Sequence, residues 1–303
     1  MNILNQEMGN DFALYNGDSC EILPMLPDNS VDYCIHSPPF ASLYTYSNSP
    51  RDLGNCRDYD DFFVHFDFII KELARVMKPG RNVSMHCMLL PTSKAHHGYI
   101  GLQDFRGDLI RAYQKHSFIF HSEVVIWKDP VTAMQRTKAL GLLHKTVRGN
   151  GAMSRQGIPD YLVTMRTPGE CEEHVIHYRD NAECSGRDES QVLPVQKWQQ
   201  YASPVWMDIN PNETLQGKSA REDADERHIC PLQLEVIRRG VELWTNPGDT
   251  VLSPFAGIGS EGYVSLQMNR KFVGIELKES YYKQAAINLK SAKNGTQDIF
   301  ETF

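Results

Sequence analysis

The chain lacks any apolar run close to the roughly 20 residues that a membrane-spanning helix needs, so a membrane-embedded protein is not expected. It also lacks an apolar stretch near its start: residues 1–11 are polar, and no secretory signal is expected there. Paired cysteines are missing too. Seven cysteines are scattered without one Cys-x-x-Cys spacing, which argues against a disulfide framework and for reduced thiols in the cytoplasm. There is no surplus of positive charge: the formal net charge is −7, which excludes a polycation that coats nucleic acid generically. Internal repeats and low-complexity tracts are absent as well. What is present, 303 residues with 41% apolar and 23% charged, suits one elaborated α/β domain or a core domain carrying an insertion. A last absence is local. Between Pro130 and Pro159 no acid occurs, whereas Arg136, Lys138, Lys145, Arg148 and Arg155 all fall there. Such a patch on an acidic body can dock phosphates, and a solvated loop with chance charge accounts for it equally well.

Strand and helix signals alternate at both ends of the chain. Residues 12–15 and 31–35 read as strands; the first is closed by the turn Asn16-Gly17-Asp18, the second by Ser37-Pro38-Pro39-Phe40, since two prolines cannot continue a central strand. A long Tyr-, Ser- and Asn-rich loop, 41–57, comes next. Phe62, Phe66, Ile69, Leu73 and Val76 recur at helical spacing, ended by Lys78-Pro79-Gly80. Strands are predicted over 82–87 and 117–127, with a helix over 105–113 between them. From 130 to about 225 the periodicity fades. It returns with a helix from Pro231 to Trp244, a strand over 250–253, a helix over 261–268, a strand over 271–277 and a closing helix over 280–290. The pattern predicts an α/β fold in which residues 1–130 and 228–303 form one doubly wound, mostly parallel sheet, with 131–227 as a largely separate, loop-rich lobe.

Two constellations carry chemistry. The first is Ser253-Pro254-Phe255-Ala256-Gly257-Ile258-Gly259-Ser260, a glycine loop between strand and helix. Its glycines allow a sharp bend and close approach of a ligand. Glu276 ends the next strand, where a carboxylate can accept hydrogen bonds from both hydroxyls of a ribose. Gly257-Ile258-Gly259-Ser260-Glu261-Gly262 also matches GxGxxG literally, so a nicotinamide-dependent oxidoreductase is a rival reading. Only one strand–helix unit comes after the loop, less chain than a dinucleotide half-fold requires.

The second constellation is Ser37-Pro38-Pro39-Phe40. One account is a rigid proline turn with a buried Phe. The other rests on a chemical need. An exocyclic amine of cytosine or adenine is a poor nucleophile because its lone pair is delocalised into the ring. Acceptors aimed at its two N–H bonds favour a pyramidal nitrogen and localise that lone pair. The Ser37 hydroxyl and the Pro38 carbonyl are candidates, with the prolines fixing the backbone. Phe40 offers a flat face for an extruded base. Ser37 lacks the GxSxG setting of a hydrolase nucleophile. The chain has Cys230-Pro231 but no Pro-Cys dipeptide, which disfavours methylation of cytosine C5. Cys171-x-x-His174-x-x-His177, with Cys184 beyond, departs from standard zinc spacings, and no metal is expected.

Together these motifs resemble those of the amino-methylating DNA methyltransferases. Ser37-Pro-Pro-Phe40 is similar to their catalytic motif, (D/N/S)PP(Y/F/W), and the loop from Ser253 to Ser260 to their cofactor loop, DPFxGxGT. The catalytic motif comes first, as in the permuted β class, where a target-recognition region separates the two. The segment from His228 resembles that class's extra cofactor segment, Glu276 its ribose acid, and Asn16-Gly17-Asp18 its short acidic motif. Ser253 departs from the usual Asp, and His228-Ile-Cys-Pro231 is a loose match. The resemblance spans roughly residues 12–130 and 227–291. It implies a Rossmann-like class I methyltransferase fold and S-adenosylmethionine as cofactor, held by Asp18, His228, Ser253, Phe255, Gly257, Gly259, Ser260 and Glu276. It implies catalysis by Ser37, Pro38, Pro39 and Phe40 on a base flipped from double-stranded DNA, with 131–227 as target-recognition region and its five basic residues against DNA. It also implies a cognate restriction endonuclease as a further partner. Ser at position 37 leans toward N4-methylcytosine, while N6-methyladenine stays open, as does a non-catalytic DNA-binding protein of the same fold.

Overall fold

The computed structural model describes residues 3–40, 53, 56, 58–131, 134, 141–149, 151–179, 189–216 and 231–292. Its strands are β1 (Asn5–Met8), β2 (Phe12–Asn16), β3 (Val31–His36), β4 (Met77–Met88), β5 (Leu90–Pro91), β6 (Leu102–Gln103), β7 (Ile119–Ile126), β8 (Asp160–Arg166), β9 (Val205–Trp206), β10 (Thr250–Ser253) and β11 (Lys271–Glu276). Nine of them form one sheet in the order β1-β2-β11-β10-β3-β4-β8-β7-β9; β5 and β6 pair separately. The five strands from β2 to β4 in that order are mutually parallel. β8 runs antiparallel between β4 and β7, and β1 is an antiparallel edge.

Helices cover both faces. On one side, Tyr59–Val76 and Phe105–Lys115 bury Phe62, Phe66, Ile69, Leu73, Leu109 and Tyr113 against Cys34, Val83 and Met85. On the other, Leu234–Trp244, Ser260–Gln267 and Glu279–Ala292 pack Val236, Ile237, Val264 and Leu289 against Tyr33, Val251 and Phe272. Two-sided burial explains why β3 carries no exposed residue at all. The expected doubly wound, mostly parallel sheet is thus present.

One expectation is corrected. The described part of 131–227 does not stand apart as a lobe: β8 lies inside the sheet, between β4 and β7 and hydrogen-bonded on both sides, and β9 lies at its end. The physical cause is an alternating apolar strand. Val163 and Met165 face one core, and Leu162 faces the other. The helix Val195–Tyr201 ties the segment further to the body. Lys197 Nζ and Tyr201 Oη bond the Glu242 carboxylate at 2.6 and 2.9 Å, and the Arg239 guanidinium lies 4.8 Å from the Trp206 ring. A smaller correction concerns Lys78-Pro79-Gly80. The helix ends at Val76, and these residues belong to β4, ahead of the ladder with β8 that begins at Asn82.

Candidate active site

β10 and β3 pair directly, Val251 with Tyr33 and Leu252 with Cys34. The chain continues from β10 toward β11 on one side and from β3 to β4 on the other, so the strand order reverses between them. Ligands of open α/β sheets collect at the carboxyl ends of strands beside such a point. The two motifs leave the sheet there, more than two hundred residues apart in sequence and side by side in space.

After β10 the backbone turns through Gly257 (φ 53°) and Gly259 (φ 85°), both left-handed. A Cβ on Gly257 would meet no atom within 4 Å, so the loop faces open space there; one on Gly259 would sit 3.1 Å from the Ala285 Cβ. Asn288 Nδ2 donates to the Ile258 carbonyl at 2.7 Å and fixes the loop to the last helix. Glu276 ends β11, and its carboxylate accepts from the backbone N–H of Gly257 (2.8 Å) and of Lys278 (2.9 Å). That clamp sets the acid's orientation at the mouth of the glycine loop. Gly17 N–H and Asn16 Nδ2 donate to the Glu276 carbonyl, which brings Asp18 beside it. Asp18 caps the helix Ser19–Ile22, accepting from Cys20 N–H at 2.9 Å, so part of its acceptor capacity is structural. Ser253 is wholly buried, and its hydroxyl has no partner among the described residues. Ser260 is buried at the start of the helix, and the next residue, Glu261, is also buried; burial pushes its carboxyl up to about 8, with Glu276 adding to the rise.

After β3, Ser37 sits at the sheet's edge with Pro38 buried behind it. The neighbouring His36 ring lies 5.7 Å from that of Phe255, which stacks on Phe66 at 6.2 Å. This aromatic contact joins the two motifs. Burial pushes the His36 imidazole down to about 3, so it is a neutral core ring. Phe40 is half-buried and packs edge-on to Phe105, centroids 6.2 Å apart. Ser37 Oγ lies 3.1 Å from His86 Nδ1 and 3.3 Å from the His86 carbonyl. His86 Nε2 lies 2.9 Å from Asp160 Oδ2, which Lys128 Nζ also contacts.

The geometry does not unite every expected residue. His228, Arg136 and Lys138 lie outside the described residues, as does the side chain of Lys145. Arg148 is exposed. Arg155 points inward, its guanidinium bonded to the Gly101 carbonyl, which withdraws it from a solvent-facing basic patch. Cys171 accepts from Arg81 Nε, and His177 Nε2 lies 3.1 Å from the Leu243 carbonyl, so these two engage different neighbours. The sequence pattern did not single out His86, Asp160, Lys128 or Glu261. A trace of the first was available: Asn82, Ser84 and His86 put polar groups on every second position of a strand.

A glycine loop and a proline turn leaving adjacent parallel strands at the switch point, with an antiparallel strand inserted toward the far edge, define a class I methyltransferase fold. Solved structures share it. One, from Thermus thermophilus and complexed with S-adenosyl-L-methionine, superposes with a TM-score of 0.66 at 22% identity, covering 93% of this chain and 96% of that one. The cytosine-N4-specific PvuII DNA methyltransferase does so with a TM-score of 0.61 at 15% identity, covering 93% and 87%. A family model described as DNA methylase, of the N6/N4 methyltransferase group, matches residues 31–287, and the chain belongs to that family. The match takes in both motifs, and the dinucleotide reading of Gly257–Gly262 is set aside with it. Among curated proteins, the chain is similar to the type II methyltransferase M.BglII of Bacillus subtilis, 25% identical over 275 residues, 88% of this chain and 66% of that protein. It is 25% identical to M.BamHI of Bacillus amyloliquefaciens over 269 residues, 87% and 54%. It is also 25% identical to the DNA adenine methyltransferase YhdJ of Escherichia coli K12 over 294 residues, 93% and 84%. The chain therefore spans just under two thirds of the first relative's length and about half of the second's.

Proposed function

We propose that the chain is an S-adenosylmethionine-dependent DNA methyltransferase that methylates an exocyclic base amine, with N4-methylcytosine as product. One observation carries the reading: Ser37-Pro38-Pro39-Phe40 and the glycine loop leave adjacent, register-paired strands at the same edge of the sheet. The residues present fit the cofactor. The space before Gly257 is open, the Ser253 hydroxyl has no partner among the described residues, and the Glu276 carboxylate is clamped where a ribose diol can reach it. The cofactor supplies a methyl group on a sulfonium that needs no further activation. The protein's own task is then to place and polarise the amine. Ser37 Oγ and the Pro38 carbonyl accept its two N–H bonds, and Phe40 holds the flipped base by its face.

Residues 131–227, with Arg136, Lys138, Lys145 and Arg148, are proposed to read the DNA target. A restriction endonuclease is proposed as a cognate partner, after the type II methyltransferases to which the chain is similar. A second reading, N6-methyladenine, is favoured by the similarity to the adenine methyltransferase YhdJ across 93% of the chain. The test is incubation with mixed-sequence duplex DNA and methyl-tritiated cofactor, followed by mass spectrometry of the nucleosides. N4-methylcytosine is expected. N6-methyladenine selects the second reading, and DNA binding without label in any base overturns both.

A further inference from the structure

The hydrogen bonds behind Ser37 continue into the sheet. Asp160 lies on β8, two residues along from Leu162, which pairs with His86, and its side chain is buried. Burial pushes its carboxyl up, but His86 and Lys128 outweigh that and hold it below its ordinary value. The carboxylate is therefore ionised and can only accept. His86 Nε2, 2.9 Å away, must carry the donated proton. Lys128 Nζ contacts the same Asp160 oxygen, so the carboxylate is held from two sides. A ring whose single proton sits on Nε2, facing that carboxylate, leaves Nδ1 as an acceptor toward Ser37.

Ser37 Oγ then has two acceptors behind it, Nδ1 at 3.1 Å and the His86 carbonyl at 3.3 Å. A hydroxyl has one proton, and either partner draws it away from the cleft. Only lone pairs remain on the cleft side. We propose that His86, held by Asp160 and Lys128, is a positioning residue that fixes Ser37 as a hydrogen-bond acceptor, so that the site takes a base offering an amine and refuses one offering a carbonyl at that point. The inference rests on the methyltransferase reading above. It assigns a role in substrate selection to three side chains that do not touch the base, one of them on the strand inserted from the middle of the sequence.

The experiment is a double-mutant cycle on the full chain, assayed with methyl-tritiated cofactor and mixed-sequence DNA, with cofactor affinity measured by calorimetry. His86→Leu should lower turnover about tenfold, the worth of one well-placed hydrogen bond, and leave cofactor affinity unchanged. Ser37→Ala with His86→Leu should be no slower than Ser37→Ala alone, because His86 acts only through Ser37. Asp160→Asn serves as the second variant. Lys128 would draw the amide oxygen, leaving the amide N–H to face Nε2 and shift the ring proton to Nδ1; turnover should fall without loss of cofactor binding. Nitrogen-15 NMR of the wild type, with the His86 signal identified by its loss in His86→Leu, should show a neutral ring protonated on Nε2. Losses that multiply in the double variant, unimpaired turnover in both single variants, or a ring protonated on Nδ1 would each overturn the inference while leaving the methyltransferase reading intact. A wild-type protein that transfers no methyl overturns the reading and the inference with it.

Discussion

Single side chains separate the tasks at this site. Ser37→Ala removes an acceptor that matters most as the amine nitrogen pyramidalises, so turnover should fall more than cofactor affinity. Phe40→Ala should cost about 1–3 kcal/mol of base binding, read as a weaker complex with cognate DNA; an undiminished affinity would leave Phe40 as a core residue packed on Phe105. Glu276→Ala should weaken cofactor binding by calorimetry, because the ribose diol loses a charge-assisted acceptor and Gly257 N–H loses its partner. Glu261 makes a prediction about stability. Its carboxyl is pushed up from 4.5 to about 8 in the fold, so the folded state binds a proton that the unfolded chain has released. The stabilisation is complete below about pH 4.5 and is lost as pH rises through about 8, a difference on the order of 5 kcal/mol. Urea unfolding midpoints of the wild type should fall over that window relative to Glu261→Gln. Parallel pH profiles for the two proteins would show that the carboxyl is not kept neutral.

At the scale of elements, the glycine loop depends on one close approach. Gly259→Ala places a Cβ against Ala285 and forces a left-handed φ on a residue that avoids it, so it should destabilise the fold by about 1–3 kcal/mol in urea unfolding. An unchanged midpoint would mean that the loop and the last helix separate at no cost. The same elements show what was legible beforehand. β3, β10 and β11 could be read because parallel strands buried on both faces appear as short apolar runs closed by turn residues. β8 could not. Its alternation is brief, it lies in a stretch rich in Gly, Pro and Arg, and its partner β4 is about eighty residues earlier, so no local pattern announces the pairing. Ser37, the proposed amine acceptor, was visible through its prolines, whereas its support was not. Asn82, Ser84 and His86 show no partner nearby in sequence, but β8 pairs alongside them, and Ser84 bonds Thr164 at 2.8 Å while His86 bonds Asp160. A polar group's burial depends on what lies across the ladder.

For the whole molecule, the central question is whether it behaves as one body. Because β8 is bonded to β4 on one side and β7 on the other, unfolding should proceed as a single cooperative transition, with calorimetric and van't Hoff enthalpies equal. Two resolved transitions would mean that the middle of the chain folds on its own after all. Charge offers a second test at this scale. Reversing Arg136, Lys138 and Lys145 together should weaken DNA binding and flatten its dependence on salt, since fewer counterions are displaced. An unaltered slope would place that stretch away from the phosphates.

The position of Asp160 also governs how such a protein could be recombined. If residues 131–227 read the target as proposed, an exchange of specificity made by transplanting all of them would carry away a strand from inside the recipient's sheet together with the acid bonded to His86. A graft that begins after Arg166 leaves both in place. The usable seam in this chain therefore lies inside the region that its composition sets apart, and on the proposed reading a new target would have to be acquired through the residues beyond the inserted strand and the stretch ahead of it.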